Sequence, residues 1–301
     1  MMTKFSHSRV RLVGPAVLAL ATSGCAPAIL DPVGPVGAAE KTILLNSVGV
    51  MLCVVVPVII ATAVIGWWFR ASNRRATYNP GFVYSGKLEV LVWAIPLLVI
   101  LFLGGIAWIG AHDLDPAKPL KSPAKPLEVD VVSLDWKWLF IYPETGVASV
   151  NRLVLPVGRP VHFRLTSSSV MNAFFVPRLG SMIYTMNGME TQLNLQADRQ
   201  GRFLGQSSQF SGDGFAGMRF DTDVVSASEF AAWAARTKAS GSVLDRATYT
   251  TLAKPAGNVA AHTYGAVAPT LFDDILMRTV DGPAVMPTHR DAPIPASTEK
   301  R

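Results

Sequence analysis

Two long uncharged stretches, followed by a series of short alternating ones, set the organisation of the chain. Ile43 to Phe69 runs 27 residues without a charged side chain, and Val90 to Ala111 runs 22. As helices these are about 40 and 33 Å long, enough to cross a hydrocarbon core of about 30 Å. Each carries a mid-segment proline, Pro57 or Pro96, which a lipid-embedded helix tolerates better than a soluble one. Trp67, Trp68 and Arg70 close the first run, and Trp93 and Trp108 lie near the ends of the second, as residues at a membrane interface do. The pattern predicts spans at 42–69 and 89–111 joined by a loop at 70–88. Residues 112–127 follow, with Pro116, Pro119, Pro123 and Pro126 predicting a semi-rigid extended linker.

From residue 128 the period shortens to two. Val129 and Val131 precede Trp136-Lys137-Trp138-Leu139-Phe140. Val161, Phe163 and Leu165 alternate with His162, Arg164 and Thr166, and Leu193 and Leu195 with Gln192, Asn194 and Gln196. Met218, Phe220, Thr222 and Val224 close the series. Short strands separated by Gly, Pro and Asn predict an all-β sandwich over 128–225. The period then becomes helical. Ser226 and Glu229 have capping-box spacing ahead of Phe230, Trp233 and Ala234, and Leu271, Phe272, Ile275 and Leu276 form a second stripe. The predicted architecture is therefore two transmembrane α-helices in a hairpin, an all-β sandwich, and a small C-terminal helical region at 226–280. That region is expected to lie over the sandwich or a partner subunit. From Asp281 to Arg301, Pro, Thr and charges predict a loose tail.

Charge sharpens the picture. The net +6 invites an acidic or nucleic-acid partner, but residues 113–225 are neutral while 1–42 carry +2 and 43–112 carry +3. The excess lies beside apolar segments, which points to membrane orientation and away from nucleic acid. Arg70, Arg74, Arg75 and Lys87 put the short loop inside, and so the N-terminus and everything after Ala111 outside. The N-terminus agrees independently. Lys4, Arg9 and Arg11 precede the apolar run Leu12–Ala21 and then Thr22-Ser23-Gly24-Cys25, an export signal similar to those of bacterial lipoproteins. Residues 1–24 are expected to be removed, Cys25 to be acylated, and 25–41 to form an outer segment. An ordinary signal with an incidental cysteine is the alternative. With Cys53 inside the first span, the exported region has no cysteine, hence no disulfide framework and no thiolate ligand.

The two spans, the proline-rich link, the Trp136-Lys137-Trp138 segment, Ser167–Gly180 and Gly205–Met218 together resemble subunit II of the haem–copper terminal oxidases. In the cytochrome c oxidase branch the resemblance implies a cupredoxin sandwich holding the dinuclear copper centre CuA. Its ligands there are a His in an SSxVxHxFxxP segment and a C-x3-C-x3-H-x2-M cluster with one backbone carbonyl. Laid on this chain, the first His is Asn172, the two Cys are Ser207 and Ser211, and the second His is Phe215. The acidic residue supplying the carbonyl is Gln209, and Met218 alone is retained. Bridging thiolates are essential to such a centre. The pattern resembles that of the bo-type ubiquinol oxidase branch, to which the counterparts of Ser169–Phe175 and Ser211–Met218 are specific.

The resemblance implies a structural subunit that itself holds no catalytic residue, cofactor or metal, in a complex that oxidises ubiquinol, reduces oxygen to water and pumps protons. Haems and copper are expected in partner subunit I, with further small membrane subunits beside it in the bacterial inner membrane. Glu89 read alone is an interfacial carboxylate. The resemblance implies a place at the cytoplasmic mouth of a proton pathway. Trp136 is expected at the foot of the sandwich against subunit I. Met171, Met182, Met186 and Met189, with only His162 near them, are expected as core or interface fillers. His112, His262 and His289 have no ligand spacing. The rivals are a CuA-bearing cytochrome c oxidase subunit, and a free-standing tethered sensor or binding module that would purify without a haem-bearing partner.

Overall fold

The computed structural model describes residues 28–77 and 79–280. The export signal, Cys25 and the 281–301 tail lie outside the described residues. Helix α1 spans Pro35–Trp68 and α2 spans Gly86–Asp113. None of the apolar window of either is buried within the chain, as two membrane-spanning helices require. α1 starts well before the apolar run, because Pro35 sits at its first turn, where a proline costs no hydrogen bond. Ala38, Ala39, Glu40 and Lys41 then continue it as good helix formers. Charges at 40 and 41 end an apolar run without ending a helix.

The sandwich is built from β1 (Leu127–Leu134), β2 (Lys137–Tyr142), β3 (Val147–Val150), β4 (Arg152–Pro156), β5 (Pro160–Ser167), β6 (Asn172–Val176), β7 (Gly180–Thr185), β8 (Thr191–Gln196), β9 (Gly201–Ser207) and β10 (Arg219–Val225). The C-terminal region adds α3 (Ala227–Lys238), β11 (Val243–Leu244), α4 (Arg246–Ala253), β12 (His262–Tyr264), β13 (Ala266–Val267) and α5 (Leu271–Leu276). One sheet has the order β12-β3-β2-β1-β5-β8 and the other β4-β10-β9-β6-β7. The pairs β1–β5 and β4–β10 are parallel, the mixed topology of a cupredoxin-like sandwich. Between the sheets, Phe174 stacks on Phe220 at 5.4 Å and meets Trp138 and Phe163 at 5.6 and 5.4 Å.

β1 and β2 are buried on both faces, and the second cover is the C-terminal region. Leu271, Phe272 and Ile275 of α5, with Tyr249 of α4, pack on Val132, Leu134, Leu139 and Ile141. The stripe at 271–276 therefore lies over the sandwich. α3 carries the full Ser226–Glu229 capping box and lays Trp233 and Phe230 against Tyr142 at 5.0 and 6.0 Å.

The segment 112–127, expected as a semi-rigid extended linker, is tied to the sandwich. The Asn194 backbone N–H donates to the Pro116 carbonyl at 2.9 Å and its side chain to Ala117 at 3.1 Å. Arg159 holds the Lys125 and Pro126 carbonyls. The segment before α1 is likewise attached. Val33 and Val36 belong to the main core, Val33 N–H donates to Arg178 at 2.7 Å, and Gly37 N–H to Leu179 at 3.0 Å. Glu40 accepts from both the backbone and the hydroxyl of Ser181, at 2.9 and 2.7 Å, and Asp31 pairs with Arg178 and Arg199.

Candidate functional site

β6 opens on Asn172, β9 ends on Ser207, and a 3-10 turn at Phe215–Gly217 delivers Met218 to the start of β10. Phe174 pairs with Ser207 across β6 and β9, so the residue types singled out in the sequence converge at one end of the sandwich. Ser207 N–H donates to the Met218 carbonyl at 3.1 Å. The Ser207 hydroxyl lies 3.2 Å from Asn172 Oδ1 and 3.1 Å from the Gln209 carbonyl. Asn172 Nδ2 donates to Val170 at 3.3 Å, and the Ser211 hydroxyl approaches Met218 Sδ at 3.9 Å. Asn172, Ser207 and Met218 are buried. Phe215 alone turns aside, its ring 5.5 Å from Phe210.

The polar groups satisfy one another, as buried polar groups must. Two hydroxyls, an amide, a carbonyl and a thioether include no anionic or soft thiolate donor, so this set does not fit a dinuclear copper. Among the described residues no group of three or more His, Cys, Asp or Glu is placed to hold a metal.

Trp136 closes the same end. It lies between β1 and β2 at φ 66, the left-handed region that strains a bulky residue. Its indole N–H donates to the Ser211 carbonyl at 2.8 Å. The loop passes so close that a Cβ on Gly214 would stand 2.3 Å from the ring. Asp135 beside it takes the Ser169 hydroxyl, and Ser133 meets Thr185 at 2.7 Å. The end is rimmed by exposed Val170, Met171, Met182, Tyr184, Met189 and Phe210, the last 70% exposed. Met171, Met182 and Met189 are thus surface residues and not core, and Met182 Sδ lies 2.6 Å from the Ser208 hydroxyl. Exposed apolar side chains grouped at one end of a domain make that end a candidate interaction face.

Glu89 stands in the first turn of α2, its N–H on the Ser85 carbonyl at 3.0 Å, and is exposed in the chain alone.

Two polar centres escaped the sequence reading. Arg164 gathers Glu190 at 2.8 Å, Asp273 at 3.1 Å and Asp130 at 3.5 Å. Burial pushes the Asp130 carboxyl up to about 7 against the pull of Arg164. Lys137 is buried, with Nζ donating to Lys254 and Asp135 carbonyls at 2.7 and 3.2 Å, and burial lowers its pKa against the neighbouring Asp135. A polar residue inside an otherwise apolar strand was the available signal for Lys137. The three Arg164 partners come from three segments distant from it and from one another, which no local pattern links.

Residues 129–225 match the model of the cytochrome c oxidase subunit II periplasmic domain, and 238–282 that of the COX aromatic rich motif. The chain is 48% identical over 277 residues to ubiquinol oxidase subunit 2 of Acetobacter aceti, covering 91% of this chain and 90% of that one. It is 45% identical over 291 residues to cytochrome bo(3) ubiquinol oxidase subunit 2 of Pseudomonas putida, covering 97% and 93%. Among solved structures, the periplasmic domain of cytochrome oxidase subunit II of Bradyrhizobium japonicum is 28% identical, with 39% of this chain and 97% of that chain covered and a TM-score of 0.37.

Proposed function

The chain belongs to the ubiquinol oxidase subunit 2 family, and from that premise we propose that it is the non-metallated structural subunit of a complex that oxidises ubiquinol, reduces oxygen to water and pumps protons. The observation that carries this reading is the mutual hydrogen bonding of Asn172, Ser207 and Gln209 beside Met218. The positions that would hold soft donors are occupied by groups that bind each other. A water-soluble electron donor needs a relay centre on the outside, whereas a lipid-soluble quinol can deliver electrons within the membrane. Haems and copper then belong to subunit I, and this chain supplies assembly and an outer cap.

The exposed rim from Val170 to Phe210 is the face that seats on subunit I, because its apolar side chains lose water there at about 25 cal/mol per Å². Trp136, locked behind the same loop, stiffens that face. Glu89 collects protons at the inner end of α2. The hairpin lies in the bacterial inner membrane with both termini outside, and acylated Cys25 adds a second anchor.

The test is isolation of the native complex, with its haem spectrum and ubiquinol-dependent oxygen uptake recorded. Copper added to the purified chain is expected to leave it colourless. A purple mixed-valence species, or oxidation of cytochrome c in place of ubiquinol, would overturn the reading. For Glu89, the Glu89→Gln complex is expected to lose proton uptake, and unchanged uptake removes the role.

A further inference from the structure

α1 and α2 approach closely where Ile43 faces Gly110. Gly110 leaves room for Ile43, and a Cβ there would stand 2.8 Å from Ile43 Cδ1. At Gly49, Gly66, Gly104 and Gly105 an added Cβ would meet nothing within 4 Å, so these positions on both helices are open. Beside the crossing, Ala39, Thr42, Ile43, Ile106, Ile109 and Gly110 line an apolar groove of about 490 Å³. Asp113 and Leu114 end this groove and also line a second cleft of about 450 Å³, roofed by the sandwich at Asn194 and Gln196. Each volume is in the range of a small-molecule site. One is apolar and lies between spanning helices. The other is polar and contains Asp113, Asp115, Lys118 and Lys121.

We propose that this composite cleft binds one membrane phospholipid with a zwitterionic phosphoethanolamine headgroup. One acyl chain occupies the helix groove, the phosphate lies between Lys118 and Lys121, and the ammonium lies at Asp113 and Asp115. Charge complementarity selects this occupant. The cleft presents two cations and two anions, so a purely anionic headgroup would leave its carboxylates facing phosphate. The carboxylates stand at the C-terminal end of α2, where unpaired carbonyls make the helix end partially negative. An ammonium suits that end. Lys118 meets Asp113 at 3.7 Å, with the two side chains 49% and 71% exposed, a weak pair that a ligand can open. Lys121 has no ion pair among the described residues. This inference rests on the spanning hairpin and is independent of the quinol reading.

The experiment uses the full chain in its complex in mild detergent, with lipid retention read by native mass spectrometry after exchange against deuterated phosphatidylethanolamine or phosphatidylglycerol. One exchangeable phosphatidylethanolamine is expected. Lys118→Gln with Lys121→Gln removes charge-assisted contacts and should lower its retention about tenfold. Ala39→Phe fills the groove and should lower it with the lysines intact. Asp113→Asn with Asp115→Asn changes only exposed side chains, and should shift preference toward phosphatidylglycerol. A wild-type preference for phosphatidylglycerol, retention indifferent to the headgroup substitutions, or acyl mass found only as a covalent adduct of the chain would each overturn the proposal.

Discussion

Arg164 is the residue on which two segments of the sandwich and one of the C-terminal region converge, and two of its partners titrate in opposite senses. Asp130 sits 3.5 Å from it and is buried, so its carboxyl is pushed from 3.8 up to about 7. Between those values the folded chain holds a proton that the unfolded chain has released, and stability falls as pH rises through that window. Glu190 is held below its ordinary 4.5 by its bond to Arg164. It contributes stability above that value, lost as pH falls through its folded pKa. Asp130→Asn is therefore expected to flatten the loss of stability between about pH 4 and 7 and to keep the acid-side loss due to Glu190. Thermal unfolding midpoints of the full chain in detergent across that range check this, and an unchanged slope would refute it. Gly214 makes a steric prediction. Its φ of −89 is open to any residue, so the constraint is space, 2.3 Å to the Trp136 ring. Gly214→Ala should cost about 1–3 kcal/mol, as overpacking does, and change Trp136 fluorescence. The Ser211–Met218 run was legible as a pattern, but the reason for its glycines was not, because Trp136 lies far away in sequence.

At the scale of elements, what could be read from the chain was what local spacing encodes. The Ser226–Glu229 box is a short-range device, and it caps α3 as expected. Ser226→Ala should cost about 1 kcal/mol, measured by denaturation. The start of α1 was not legible from hydropathy, because an apolar run reports where lipid is and not where a helix begins. The stripe at 271–276 was legible too, but not which surface it covers. That depends on Lys137, whose Nζ holds the Lys254 carbonyl at 2.7 Å, and on Asn151, which donates to Val259 at 2.8 Å. Lys137→Met removes a charged hydrogen bond of about 1.5–3 kcal/mol. Amide exchange over 254–280 should then quicken by an order of magnitude or more, with β5 and β10 little changed. Equal acceleration throughout would mean that Lys137 supports the whole core and not the attachment of this region.

At the scale of the molecule, the uncharged runs and the prolines divided the chain into a membrane part and a sandwich, and left open how the two are joined. The prolines between Asp113 and Leu127 suggested a semi-rigid extended linker without saying what it touches, and Asn194 and Arg159 tie it to the sandwich. The attachment is reinforced by the segment from Asp31 to Glu40, which is covalently part of α1 yet packs into the sandwich. Burying Val33 and Val36 contributes about 1.5–3 kcal/mol each. Glu40 adds two charge-assisted bonds to Ser181, each worth about 1.5–3 kcal/mol. Such a joint should hold without the covalent link through α2. A protease site placed at Ser122–Ala124, which is exposed or half-buried, outside any helix or strand, would cut that link in the chain reconstituted alone in vesicles. The cleaved sandwich is then expected to stay with the vesicles through a salt wash, because the joint is mainly apolar and hydrogen-bonded. Adding Glu40→Ala and Val36→Asp should release it, since the first removes both bonds to Ser181 and the second forces a carboxylate into the core. Release of the cleaved sandwich from the unsubstituted chain would show that the linker alone holds the two parts. Retention after both substitutions would place the holding contacts elsewhere, at Asp31 with Arg178 and Arg199 or at Pro116 and Ala117 with Asn194.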